Sequence, residues 1–196
     1  MAKASDNVFP YIHLAPGAAP AAPAAGSQRL YIDSADGKPK LKDSAGVVSS
    51  LGGGSAFVGA RVYNTTAISC ANGAAVLLTF DSERYDTDNI HSTATNTGRL
   101  TATTAGKYHI TGEATFAANA TGNRGIVLRI NGVTEIAHVR VPAAGGSDVT
   151  MLSISSTWDM AATDYVELMA YQTSGGVLSV TNLAAASPEF MMHRLG

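Results

Sequence analysis

The sequence predicts an all-β fold: a sandwich or barrel preceded by an extended N-terminal arm and a small β-hairpin unit. Three observations lead there. Gly, Ala, Ser and Thr are heavily used, while long helix-forming runs of Glu, Lys and Leu are absent. From residue 56 onward, strand signals recur with turn signals between them. Within that stretch, Tyr108, Ile110, Ala114 and Phe116 alternate strictly with Lys107, His109, Thr111, Glu113 and Thr115. A period of two places one face on a core and the other toward water.

Residues 1–26 read as an arm. Its apolar patch, Val8 to Leu14, leads into a Pro/Ala run from Pro16 to Gly26. Such a run favours extended polyproline-type backbone and cannot build a core. Phe9, Tyr11, Ile12 and Leu14 are costly to leave in water, so they are expected to anchor the chain to a partner or a neighbouring subunit. Residues 27–51 read as the hairpin unit, with Gln28–Asp33 and Lys38–Lys42 as strands around the Asp36-Gly37 turn. Pro39 marks the second strand as an edge. Asp43 to Gly46 turns again before Val47-Val48. A unit of this size needs something to pack against. Gly52-Gly53-Gly54-Ser55 is a linker.

Residues 56–196 form the main domain. Gly112 sits on the apolar face of its strand, where something bulky is expected to approach closely. Ile126–Ile130 is a strand running into Asn131-Gly132, a strong hairpin signal, with Thr134–Val141 as its partner. Residues 148–158, 165–171, 177–181 and 189–195 complete the strand set. On the 165–171 strand, Val166, Leu168 and Ala170 share one face. Tyr165, Met169 and Tyr171 share the other, around Glu167. A one-sided strand should be polar outside, so these three are the expected interface with a partner subunit.

Charged residues make up 14 % of the chain, against roughly 25 % in ordinary soluble domains. That low share fits a surface hidden in an assembly. With a net charge of −2 and no basic cluster beyond Lys38–Lys42, nucleic-acid binding through phosphates is excluded. Met1–Asn7 lacks the apolar core of a signal peptide, and no apolar run approaches the roughly 20 residues that span a bilayer. The expectation is a protein made in a cytoplasm and not inserted in a membrane.

No enzymatic constellation stands out. Cys70 is the sole cysteine and reads as a small buried hydrophobe. His13, His91, His109, His138 and His193 lie away from any nucleophile elbow, and Gly-x-Ser-x-Gly is absent. Glycan hydrolysis needs two placed carboxylates, but Glu113, Glu135 and Glu167 fall on strands with no paired partner visible. Asp81, Glu83, Asp86 and Asp88 do not match an EF-hand spacing and read as a solvated turn. No cofactor and no metal are expected. The loops around 86–96 and 143–147 are placed to meet a receptor, though nothing marks them chemically.

From about Gly59 onward the chain resembles the globular C1q domain, a relative of the tumour-necrosis-factor fold. The residues that carry the likeness are Phe80-Asp81, Tyr85-Asp86, Gly98-Arg99-Leu100-Thr101, Ala105-Gly106-Lys107-Tyr108, Asn131-Gly132 and Asp164-Tyr165-Val166-Glu167-Leu168. The resemblance implies a ten-stranded jelly roll that assembles as a tight homotrimer and binds diverse partners. It departs from the family in lacking a collagen stalk and in closing on Phe190-Met191-Met192-His193. Ala162-Thr163 also stands where a glycine more often precedes the aspartate. The first 50 residues are similar to the lead-in of tailed-bacteriophage virion proteins, carried by Gly26–Tyr31, Asp36–Lys38 and Lys42–Gly46. Together these imply a non-enzymatic virion structural protein, a trimeric minor tail or adhesin type. Its arm would join other virion proteins, and its knob would face a host receptor or glycan. A capsid decoration protein and a bacterial carbohydrate- or protein-binding module are the alternatives.

Overall fold

A computed structural model describes residues 14–51, 57–183 and 186–195. The chain forms two compact units, 1–56 and 57–196. Phe9, Tyr11, Ile12 and the Gly52–Ser55 linker lie outside the described residues.

The first unit is a four-stranded sheet of β1 (Pro16–Gly17), β2 (Gln28–Asp33), β3 (Pro39–Asp43) and β4 (Val48–Ser50), in that order. Part of the arm therefore joins the sheet: β1 runs parallel to β2, with Pro16 opposite Ile32. Leu14 is half-buried and Pro23 is buried. The β2–β3 turn forms as its Asp-Gly pair dictates, with Gly37 at φ 67° and its N–H donating to the Asp33 carbonyl. Lys40 Nζ closes the turn by bonding Asp33 Oδ2 at 2.6 Å and Asp36 Oδ2 at 3.0 Å. Pro39 does not mark an edge: β3 pairs with β2 on one side and β4 on the other. As the first residue of the strand it removes no ladder bond, and its carbonyl accepts the Leu51 N–H.

The second unit is all-β and two-layered. One sheet runs β6 (Ile68–Cys70), β15 (Leu178–Val180), β10 (Gly106–Phe116), β16 (Glu189–Arg194), β5 (Gly59–Tyr63) and β8 (Ser82–Asp86); β13 (Thr150–Met160) also pairs with β10. The other runs β12 (Thr134–Pro142), β11 (Asn123–Ile130) and β14 (Tyr165–Gln172). The far edge of β14 is shared by β7 (Ala75–Leu77) and β9 (Arg99–Thr101). The β11–β12 hairpin turns at Asn131 (φ 52°) and Gly132 (φ 71°), as its Asn-Gly signal predicts.

The core lies between the sheets. Tyr108, Ile110, Ala114 and Phe116 of β10 face Ile126 and Leu128 of β11 and Val166, Leu168 and Ala170 of β14, all buried. Phe80 packs on Phe190 at 5.6 Å between ring centres. Gly112 has the close neighbour its position predicts: a Cβ there would lie 2.7 Å from Leu168 Cδ1.

Candidate functional site: a polar cavity and a low-charge sheet face

The cavity is built by the loop after β8. Asp86 shapes it, its carboxylate accepting the N–H groups of Asp88 (3.0 Å), Ile90 (3.1 Å) and His91 (2.8 Å). His91 is pinned beneath, with Nδ1 2.8 Å from Glu83 and Nε2 3.1 Å from the Thr97 carbonyl. Ser92 Oγ accepts the N–H groups of Ala94 and Thr95. The loop then delivers Arg99 and Thr101 on β9, beside Tyr165 of β14. The result is an open cavity of ≈ 400 Å³ whose lining is mostly hydroxyl and amide groups.

Its one cationic wall is Arg99. The guanidinium lies over the Tyr165 ring, 3.9 Å from the ring centre, and Nε donates to Glu167 Oε1 at 3.1 Å. Glu167 is nearly fully buried, and its other oxygen accepts Arg129 Nη2 at 2.8 Å. One carboxylate between two guanidinium groups leaves the cluster one positive charge. Among the described residues, the Nη groups of Arg99 have no hydrogen-bond partner.

The backbone here is strained. Four described non-glycine residues have left-handed φ: Asn89 (52°), Asn96 (51°), Asn131 (52°) and Thr163 (76°). Asn131 serves the hairpin turn; the other three all line this cavity. Asparagine tolerates that region, but for a β-branched residue it is a genuine outlier. Thr163 is held there by its N–H bond to the Ala102 carbonyl and by Asp164, whose carboxylate ties Ala161 N–H and Asn131 Nδ2. The sequence carried the signal as a departure from the C1q-like pattern it resembles, where a glycine more often precedes the aspartate.

The second feature is the outward face of the large sheet. It presents His109 and Thr111 of β10, Met191 and His193 of β16, and Met151, Ser153, Ser155 and Thr157 of β13. At one border Glu189, almost fully buried, is clasped by Arg61 Nε (2.5 Å) and Arg84 Nε (2.6 Å). Glu113 stands directly opposite Glu189; like charges so placed repel, and the two guanidinium groups compensate. His109 and His193 meet edge-on at 5.3 Å, and Phe57 stacks on His193. Burial, and then the neighbouring His109, hold His193 below the usual imidazole range.

Tyr165, Met169 and Tyr171 do share one face of β14, but they are largely covered by their own chain. Met169 is 7 % exposed. Arg99 covers Tyr165, and Arg140 lies 4.8 Å from the centre of the Tyr171 ring. The cationic cover was invisible to a reading of one strand at a time. Glu167 likewise has two partners, Arg99 and Arg129, where the sequence showed none. The acidic residues of the 81–88 stretch act on the protein itself: Asp81 accepts Thr65 N–H at 2.9 Å, and Asp88 bonds Thr103. Among the described residues, no three His, Cys, Asp or Glu side chains converge as metal ligands. Sequence reasoning also missed Arg124, whose fully buried guanidinium binds the carbonyls of Asn119, Thr121 and Asn123 and so fixes the loop before β11.

No family model matches the sequence, and no curated protein matches it. Solved structures do. The globular domain of zebrafish complement 1qA protein superimposes with a TM-score of 0.51 at 13 % identity, covering 71 % of this chain and 98 % of that one. Eiger TNF from S. frugiperda gives 0.50 at 13 % identity, over 71 % and 93 %. Murine APRIL at pH 5.0 gives 0.56 at 7 % identity, over 71 % and 100 %. The second unit thus has the C1q/TNF-like jelly-roll fold that the sequence predicts.

Proposed function

We propose that this chain is a non-enzymatic structural protein of a bacteriophage particle, of the minor tail or adhesin type. It forms a homotrimer, attaches through its N-terminal unit and presents the jelly roll for binding. The observation that carries this reading is the contrast between the two units. The jelly roll has a complete core of its own. The four-stranded sheet has no buried hydrophobic core residue among its described positions, and Leu30 (48 %), Val47 (58 %), Val48 and Leu51 stay exposed. A sheet built from aliphatic residues that it does not bury calls for a partner. In the sequence Phe9, Tyr11, Ile12 and Leu14 precede this sheet, and the anchoring role expected of them belongs to the same proposal.

The trimer contact is assigned to the outward face of the large sheet. That face is rich in small hydroxyl residues and carries few uncompensated charges, so desolvating it costs little. Tyr165, Met169 and Tyr171 are less suited, because arginines and their own chain already cover them. The non-enzymatic reading is supported by the chemistry of the reactive groups. Cys70 is fully buried, its thiol pushed up to about 11 by burial. His91 is held by an acid and a carbonyl, with no hydroxyl nucleophile on it.

Two measurements test the proposal. Light scattering on residues 57–196 is expected to give three times the chain mass; a stable monomer refutes the trimer. Quantitative mass spectrometry of purified particles is expected to find the chain at low copy number. Hundreds of copies would place it on the capsid as a decoration protein, and absence would refute the virion role.

A further inference from the structure

We infer that the cavity between the 87–98 loop, β9 and the start of β14 is a binding site for a carboxylate-bearing saccharide of the uronic-acid type. The inference deepens the reading of the jelly roll as a binding knob and rests on that reading for its biological setting, not for its chemistry.

The size is right for a small ligand: ≈ 400 Å³ falls within the range of small-molecule pockets and holds one or two sugar rings. The lining sets the polarity. Sugar hydroxyls need partners that both donate and accept, and the wall supplies them as the side chains of Asn89, Thr95, Asn96 and Thr101, while Ser92 Oγ, which accepts two loop N–H groups, keeps its proton to donate. The charge sets the sign. Arg99 is the one guanidinium on the described wall, which carries no lysine and no carboxylate; the His91 ring is already committed to Glu83 and Thr97. Arg99 is steadied on two sides, by the Tyr165 ring and by Glu167, while its Nη pair keeps free donors. A guanidinium fork of that kind matches the two oxygens of a carboxylate. The net single positive charge of the Arg99–Glu167–Arg129 cluster balances a monoanion and undercompensates a doubly charged phosphate monoester.

The strain points to the same place. Of the three left-handed non-glycine residues on this cavity, Asn89 and Asn96 tolerate that region, whereas Thr163 keeps a β-branched side chain where glycine would be relaxed. Strained backbone that persists is concentrated at ligand sites, where it aims a group that an unstrained residue could not. Here it sets Thr163 on the cavity wall.

The test uses the full-length chain and calorimetric titration with a glucuronic-acid-containing disaccharide, with cellobiose as the neutral control and glycerol 1-phosphate as the phosphate control. The uronate is expected to bind at least tenfold more tightly than either control. Arg99→Gln is expected to reduce uronate affinity about tenfold or more, and Arg99→Lys to restore only part of it, because the charge returns without the fork. Arg99 also holds Glu167, so a second variant protects the conclusion. Thr95 is exposed, and Thr95→Glu places a carboxylate at the mouth at the cost of one exposed hydroxyl contact, 3.3 Å to Ser92 Oγ; it is expected to abolish uronate binding with a melting temperature within about 2 °C of the parent. Equal binding of uronate and cellobiose overturns the charge assignment, tighter binding of the phosphate overturns the carboxylate, and no binding of the uronate overturns the site. Uronate binding by a chain absent from particles would leave this inference standing and refute the virion role. The reverse pair of results would do the opposite.

Discussion

Gly112→Ala tests the packing on which the jelly roll depends. A Cβ built at Gly112 lies 2.7 and 2.8 Å from the two Leu168 methyl groups. Carbon atoms pack best at about 3.5–4.0 Å, so the leucine would have to recede by roughly an ångström. Leu168 is fully buried in one cluster with Tyr108, Ile110 and Leu128, so its methyl groups would recede against side chains that are themselves fully buried. Overpacking of this kind costs about 1–3 kcal/mol. Against it stands a gain of about 0.4–1 kcal/mol, because alanine restricts the unfolded chain more than glycine does. The clash wins, and the net effect is a loss of about 1–2 kcal/mol, or a fall in melting temperature of roughly 2–8 °C at 2–4 °C per kcal/mol for a chain of this length. A double-mutant cycle isolates the cause. Leu168→Ala alone leaves a cavity worth about 2–5 kcal/mol, and the added methyl partly fills it. Gly112→Ala with Leu168→Ala should therefore be more stable than the sum of the single changes predicts, by about 0.5–3 kcal/mol. Urea unfolding followed by circular dichroism measures all three. A neutral or stabilising Gly112→Ala, or strict additivity, would refute the contact.

Four further outcomes are expected. Cys70, with its thiol raised to about 11 by burial, should resist iodoacetamide at pH 8 in the folded protein and react in urea; rapid native labelling would contradict its burial. The His193 imidazole is depressed by burial and by His109, so the unfolded chain binds more protons near pH 6. Stability is complete above the unfolded value of about 6.5 and declines as pH falls through it toward the folded value; His193→Gln should flatten that slope in a series of melts. Thr163→Gly should raise stability by about 1 kcal/mol through relief of the left-handed strain while weakening uronate binding, and a loss of stability would show that the threonine is not strained. Leu30→Asp with Val47→Asp should leave the jelly roll's melting unchanged within about 0.5 kcal/mol and abolish incorporation into particles, which a pull-down of assembled particles reads directly.

The C-terminal half of the jelly roll was legible because its strands are long. β10 and β13 each run for 11 residues, ample for a period of two to declare itself. By contrast β6, β7 and β9 have three residues each, and β5 and β8 five. Three residues carry no periodicity, and these strands exist because long neighbours template them. Pro39 misled for a related reason: its edge reading assumed a two-stranded hairpin, whereas β4 covers the far side of β3. The cavity was half-legible. Its loop was recognised as exposed, but its chemistry comes from Arg99, Thr163 and Tyr165, which adjoin only through the β9–β14 pairing. The odd threonine before Asp164 was the one sequence signal of the site, and its meaning needed a φ angle.

β14 shows why fold and site cannot be separated in this protein. Its inward residues Val166, Leu168 and Ala170 are fully buried and hold the two sheets together. Its outward residues Tyr165 and Glu167, one step away in each case, hold Arg99 in place. A slip of one residue in the β9–β14 register would exchange the two sets. Glu167 would enter the core, where an unpaired carboxylate is untenable, and Arg99 would lose both supports. The hydrophobic alternation that fixes the core therefore also fixes the guanidinium. A binding site that borrows its geometry from the core strand needs no separate rigid scaffold, and its loop remains free to vary around one fixed charge.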